Sequence, residues 1–291
     1  VELLMANSTP MNKARGFTLV ELVIVLVVMG VIATGIAKVV TSSMSVFVGV
    51  SEREQLVAQT SFAINRMARE LQNAVPASVR VRGSSSQHCL QFVPADVVTG
   101  YSDISVQPAT ENTIDILFPA DALDNTQPFT ASASVIVAPP SVLDVYNAAN
   151  DYRQPIVSCT DDGDGDCATR DSTDDTLEIT VSDAFAEASL ANRAYIASKA
   201  VSFCLRGSVL HRIESGFTTS QPLALASSPR LGVDFINVLS ASPASGTSND
   251  DPFQVRSVNG GVNNMVMLRL RAQKGDEVLS LTTEVAIENE P

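Results

Sequence analysis

The chain has 291 residues, four cysteines, no tryptophan and a formal net charge of −13. That length holds one anchoring helix and one sizeable globular domain. The acidic balance argues against a nucleic-acid-binding surface, because phosphate contacts need Lys and Arg, and the few aromatic residues leave no obvious stacking platform for sugars or single strands.

Residues 1–16 read as a leader outside the fold. Val1 is not a normal initiator. Met5 and Met11 both qualify as starts, and Met11-Asn-Lys-Ala-Arg-Gly makes a compact basic segment. Lys13 and Arg15 would stay cytoplasmic by the positive-inside tendency. An apolar run then starts at Phe17 and continues past Ile32. About 20 apolar residues span a bilayer as a helix. One carboxylate, Glu21, sits inside the run. An ionisable group in lipid costs about 2.5–3.5 kcal/mol on insertion scales, so it is there for a partner or a function. A secretory signal would place small residues after its apolar core. Here a short basic lead ends at Gly16, ahead of the core.

Arg15-Gly16-Phe17-Thr18-Leu19-Val20-Glu21 resembles the prepilin cleavage and methylation motif of type IV pilins and of the type II secretion pseudopilins. The resemblance implies cleavage between Gly16 and Phe17 by a prepilin peptidase and N-methylation of the Phe17 amine. It also implies that Glu21 is the carboxylate that meets a Phe17 amine during filament assembly.

Gly30 and Gly35 soften the apolar helix, but glycine lets membrane helices approach closely. No proline interrupts residues 17–75, whereas many major pilins carry one in this half. After Lys38 the pattern becomes one-sided. Val57, Ile64, Ala68, Leu71 and Val75 recur at helical spacing, with Glu54, Arg66, Arg69 and Glu70 largely on other faces. That predicts an amphipathic helix packed on a globular head, with Met67 in the core. Pro76 ends it.

From Val79 onward the composition is that of β structure. Strands are expected at 79–82, 89–93, 113–118, 134–137, 177–181, 201–205, 209–212, 265–271 and 277–287. The last two, joined by Gln273-Lys-Gly-Asp, read as a terminal hairpin. In it Val266, Leu268 and Leu270 alternate with Met267, Arg269 and Arg271. Stretches 241–252 and 257–264 read as loops. There is no internal repeat and no clean second-domain boundary.

The segments His88-Cys-Leu-Gln-Phe-Val-Pro, 193–212 and 276–289 resemble minor pilins of the mannose-sensitive haemagglutinin (MSHA) pilus, and the second also resembles J-type pseudopilins. Gln91 stands where that pattern has Glu. Four cysteines allow three pairings, in a compartment where disulfides persist. In this picture Cys89 and Cys204 each lie on an expected strand, which favours a cross-strand Cys89–Cys204 bond, and a Cys159–Cys167 bridge is favoured as one that would pre-form the loop between them.

Cys159-Thr-Asp-Asp-Gly-Asp-Gly-Asp-Cys167 places Asp162, Asp164 and Asp166 between glycines, with Asp171, Asp174 and Asp175 following. Three carboxylates on a flexible loop suit calcium, which takes six to eight oxygens. The match to an EF-hand is incomplete, since Cys167 stands where glycine belongs and Thr173 where Glu belongs. A solvated acidic loop is the plainer reading.

No Gly-rich phosphate loop, HExxH or Gly-x-Ser-x-Gly elbow occurs. His88 and His211 sit beside expected strand residues and read as structural or exposed. The expectation is a non-enzyme that requires no cofactor, with calcium as the candidate ion. The expected fold is α+β and type IV pilin-like: leader 1–16, transmembrane helix 17–40, amphipathic helix 41–75 and β-rich head 76–291. Expected partners are other major and minor pilins, the prepilin peptidase and the inner-membrane assembly platform. The expected location is the inner membrane with a periplasmic head, then the extracellular pilus.

Overall fold

The computed structural model describes residues 16–117, 132–160, 176–243, 250–258 and 263–287. Two compact units divide between Ser51 and Glu52. The first holds the apolar part of helix α1, which runs Leu19–Gln72. Its apolar side chains from Phe17 to Val50 all stand exposed, and the helix is long and apolar enough to cross a membrane. From Leu19 to Lys38 the rise is about 29 Å, close to a hydrocarbon core of about 30 Å.

In the second unit α1 buries Leu56, Thr60, Ala63, Ile64, Met67 and Leu71. The buried stripe is centred between Thr60 and Met67. Val57 therefore falls at its border and is exposed, contrary to the sequence expectation. The helix also stops at Gln72, three residues early. Val75 leaves it because its N–H donates to the Val93 carbonyl at 2.8 Å; pairing with the chain beyond the second strand outcompetes another helical turn.

The strands are β1 (Arg80–Ser84), β2 (Gln87–Phe92), β3 (Val97–Ile104), β4 (Thr113–Leu117), β5 (Ser134–Val137), β6 (Arg153–Thr160) and β7 (Thr176–Val181). They continue with β8 (Arg193–Ala197), β9 (Ala200–Arg206), β10 (Val209–Ser215), β11 (Arg230–Gly232), β12 (Phe253–Val258), β13 (Asn263–Lys274) and β14 (Glu277–Ile287). A short helix α2 (Val142–Tyr146) follows β5. All named strand pairs are antiparallel.

Three β bodies result. A five-stranded sheet has the order β1-β2-β9-β10-β11, and a three-stranded sheet the order β12-β13-β14. Between β2 and β9 the chain leaves to build a closed six-stranded barrel, β3-β4-β7-β6-β5-β8. The sequence showed no such subdivision of the head. Its closure depends on β3, β6 and β8, none of which was among the expected strands.

One core lies under α1 and joins both sheets: Met67 and Leu71 meet Leu90, Phe92, Phe203, Phe253, Leu268 and Leu270. Each large side chain so buried contributes about 1.5–3 kcal/mol. The barrel is filled by its own side chains, among them Tyr101, Ile114, Ile116, Ile179 and Ile196. A third cluster, with Val75, Val93, Ile136, Tyr146 and Tyr195, joins barrel to sheet. Polar ties reinforce this joint. The Tyr146 hydroxyl donates to the Ser78 carbonyl at 2.9 Å, and the Arg80 guanidinium lies 3.6 Å over the Tyr146 ring. Burial pushes the Tyr146 phenol well above its usual range, and the neighbouring Arg80 opposes that.

Candidate assembly site at the amino terminus

Thr18 immediately precedes α1, and its hydroxyl accepts the backbone N–H of Glu21 at 3.3 Å. The Thr18 carbonyl accepts the Leu22 N–H at 3.2 Å, the first helical bond. Thr18 therefore caps the helix, and Glu21 is its third residue. Thr-x-x-Glu before an apolar run is a capping-box signature, a signal that the sequence reading left unused. A carboxylate in the first turn also meets the positive end of the helix dipole, worth about 0.3–1 kcal/mol. The same residue that is costly in lipid is thus placed where the helix itself favours a negative charge. Gly16, Phe17 and Thr18 lie ahead of the helix, exposed, so the Gly16–Phe17 bond is accessible. Cutting it would create an amine one helical turn from Glu21.

Cys89 and Cys204 are bonded to each other. Cys159, buried at the end of β6, is also disulfide-bonded. Cys167, Asp162, Asp164, Asp166, Asp171 and Asp174 lie outside the described residues.

His88 and His211 are both buried and each holds a backbone carbonyl: Ser240 at 2.8 Å and Ser228 at 2.9 Å. Gly83 leaves room for the His88 ring, since a Cβ there would come within 2.6 Å of the ring carbon Cδ2. Ser240 and Asp251 lie beside His88, but the Ser240 hydroxyl donates to Asp251 at 2.6 Å and not to the imidazole. The histidine pins a loop to the sheet. Gln91 accepts from Arg80 at 2.8 Å, within the polar ties described above.

A long apolar amino-terminal helix followed by antiparallel sheets is the α+β architecture of type IV pilin-like proteins. The family model described as the prokaryotic N-terminal methylation motif matches residues 11–37, spanning Gly16, Phe17 and Glu21. The chain thus carries a type IV prepilin-like amino terminus, a motif of structural subunits. No curated protein and no solved structure matches the chain.

Proposed function

We propose that this chain is a minor pilin of a type IV pilus of the MSHA type, resembling the O-type biogenesis protein. A prepilin peptidase cleaves after Gly16 and methylates Phe17. The apolar helix holds the subunit in the inner membrane with its head in the periplasm, and then packs in the filament with other major and minor pilins at the assembly platform. Glu21 pairs with a Phe17 amine of its own or a neighbouring subunit, so that a buried charge gains a partner on docking. The methylation motif running directly into a helix capped at Thr18, with Glu21 in its first turn, carries this reading.

Mass spectrometry of the mature protein tests it. The expected amino terminus is a methylated Phe17, absent in a peptidase-deficient strain. Any other mature start overturns the reading.

The motif is shared with J-type pseudopilins of type II secretion, which would move folded proteins rather than build a pilus. A tip adhesin is the other alternative. Deleting the gene separates the three: pili are lost for the minor pilin, secreted enzymes for the pseudopilin, and adhesion alone for the adhesin. The reading needs no cofactor. Calcium at the acidic loop is a separate proposal, for which titration calorimetry should give binding heat and calcium should raise Tm; the absence of both would remove it.

A further inference from the structure

The barrel is closed, so among the described residues the open strand edges belong to the two sheets. β1 has five residues with Arg80 and Arg82, β11 has three, and β12 has six with Arg256. Short strands and basic side chains are ordinary ways of blunting an edge. β14 differs. It runs eleven residues without proline or glycine, and its register against β13 is continuous from Glu277 to Ile287.

The hydrogen bonds of β13 show which way the β14 backbone faces. Arg269 and Gln273 donate their N–H groups to the carbonyls of Pro252 and Asp234, and the Arg271 carbonyl accepts from Ile236. The Arg271 N–H goes to Asn237 Oδ1 at 3.0 Å. These three residues thus spend their backbone groups on the side away from β14. Across the ladder they oppose Thr282, Val278 and Ser280. Opposed residues in an antiparallel pair alternate between bonding each other and bonding outward. Val278, Ser280 and Thr282 therefore turn N–H and C=O to the open side, and the alternation extends to Glu284 and Ala286. All five residues are exposed. No strand among the described residues lies on that side.

A row of donors and acceptors repeating every 6.8 Å or so is matched by another extended backbone. Charge selects among extended partners. The chain carries −13, and pairing β14 with a second copy of itself would bring two Glu277 and two Glu284 onto one ladder. Like charges directly opposite each other destabilise a ladder, as two Glu284 would in a self-pair centred on that residue, and the net negative charge of each copy opposes the other registers. We propose that β14 takes an extended, basic segment of a different subunit of the assembly as a fourth strand. This rests on the reading of the chain as an assembly subunit.

The test uses the full chain in cells that build the fibre, with a photo-cross-linking amino acid at Val278. The expected result is an adduct with another prepilin-type subunit, mapped to a strand with Lys or Arg facing Glu284. Ser280→Pro removes an N–H that β13 does not use, and edge strands tolerate proline. It should keep Tm and cut the adduct at least tenfold. If that variant fails to fold, Glu284→Arg should cut the adduct several-fold. No adduct, an adduct with a second copy, or an adduct that the interpretable variant leaves unchanged overturns the proposal. A chain with mature Phe17, present in the fibre but giving no Val278 adduct, overturns this inference alone. A chain that is never processed overturns the reading beneath it.

Discussion

Cys89 and Cys204 face each other directly in the ladder between β2 and β9, with Cα atoms 4.0 Å apart. Between them in sequence lies the whole six-stranded barrel. The bond therefore ties together the two strands by which the chain leaves the five-stranded sheet and returns to it. Both cysteines are fully buried beside Ala224, and the Cys89 carbonyl accepts from Gln221 at 2.8 Å. A cross-link across 115 residues removes much freedom from the unfolded chain. Replacing both cysteines with alanine should cost about 2–4 kcal/mol. A lower urea midpoint for the detergent-solubilised variant would show it; an unchanged midpoint would mean that sheet pairing alone holds the barrel's base.

The terminal hairpin was legible because its physics is local. Val266, Leu268 and Leu270 enter the core while Arg269 and Arg271 stay on the other face, and Gly275 takes the positive φ of 57° that suits a two-residue hairpin loop. The apolar anchor and the burial of Met67 were legible for the same reason. The barrel was not. β3 carries Gly100 and polar residues, and β6 carries Pro155 next to a register shift between Ile156 and Ser158. Each reads as a poor strand in isolation, and closing them into a barrel satisfies what neither satisfies alone. His88 was equally hidden, since its burial depends on Gly83 and on a loop around Ser240 and Asp251. The amino-terminal motif was the most legible part of the chain, although Thr18's capping role was missed.

Arg212 joins α1 to the five-stranded sheet. Its Nε lies 3.0 Å from both carboxylate oxygens of Glu70, and its Nη1 is 2.7 Å from Glu214. A planar fork serves two carboxylates where a lysine cannot. Arg212→Ala should cost about 1–2 kcal/mol in this partly buried setting, with Arg212→Lys recovering little of it. Thermal melts of the three proteins decide this. The Arg212 and Lys199 hydrogen bonds also hold the Glu214 carboxyl below its usual range. Its contribution is therefore present above the ordinary Glu value of about 4.3 and is lost as pH falls through the lower folded value. The gap between wild type and Arg212→Ala should shrink in acid.

Asp115 should show the opposite slope. It stands across from Asp103 on β3 and Glu178 on β7. Burial first, and then the charges of Glu178 and Asp103, raise its carboxyl above the usual Asp range. The folded state then binds the proton more tightly than the unfolded chain does. The stability this confers is present below about pH 3.9 and is lost as pH rises through the raised folded value. Asp115→Asn removes the like-charge contacts and should raise stability at pH 7 by about 0.2–1 kcal/mol. The advantage should fade toward pH 3–4. Melting curves across that range check it, and a variant less stable than wild type at pH 7 would contradict the account.

Glu21 has two jobs that substitution can separate. Its backbone N–H is held by Thr18, and that bond survives any side-chain change. The carboxylate is the group proposed to meet the Phe17 amine. Glu21→Ala should therefore leave the helix start and the accessible Gly16–Phe17 bond in place, so cleavage and methylation proceed. It also removes an ionisable group from lipid, which should favour membrane retention by about 2.5–3.5 kcal/mol. Loss of the carboxylate partner for the Phe17 amine and this stronger retention both push against release into a fibre. The expected outcome is a mature Phe17 amino terminus in the membrane fraction and no chain in sheared fibres. Thr18→Val tests the other half. It removes the cap, at a cost of about 1 kcal/mol to the helix end, while leaving the charge. If Glu21→Ala assembles normally, the pairing role fails; if Thr18→Val blocks assembly as fully as Glu21→Ala, helix-end geometry rather than charge controls docking.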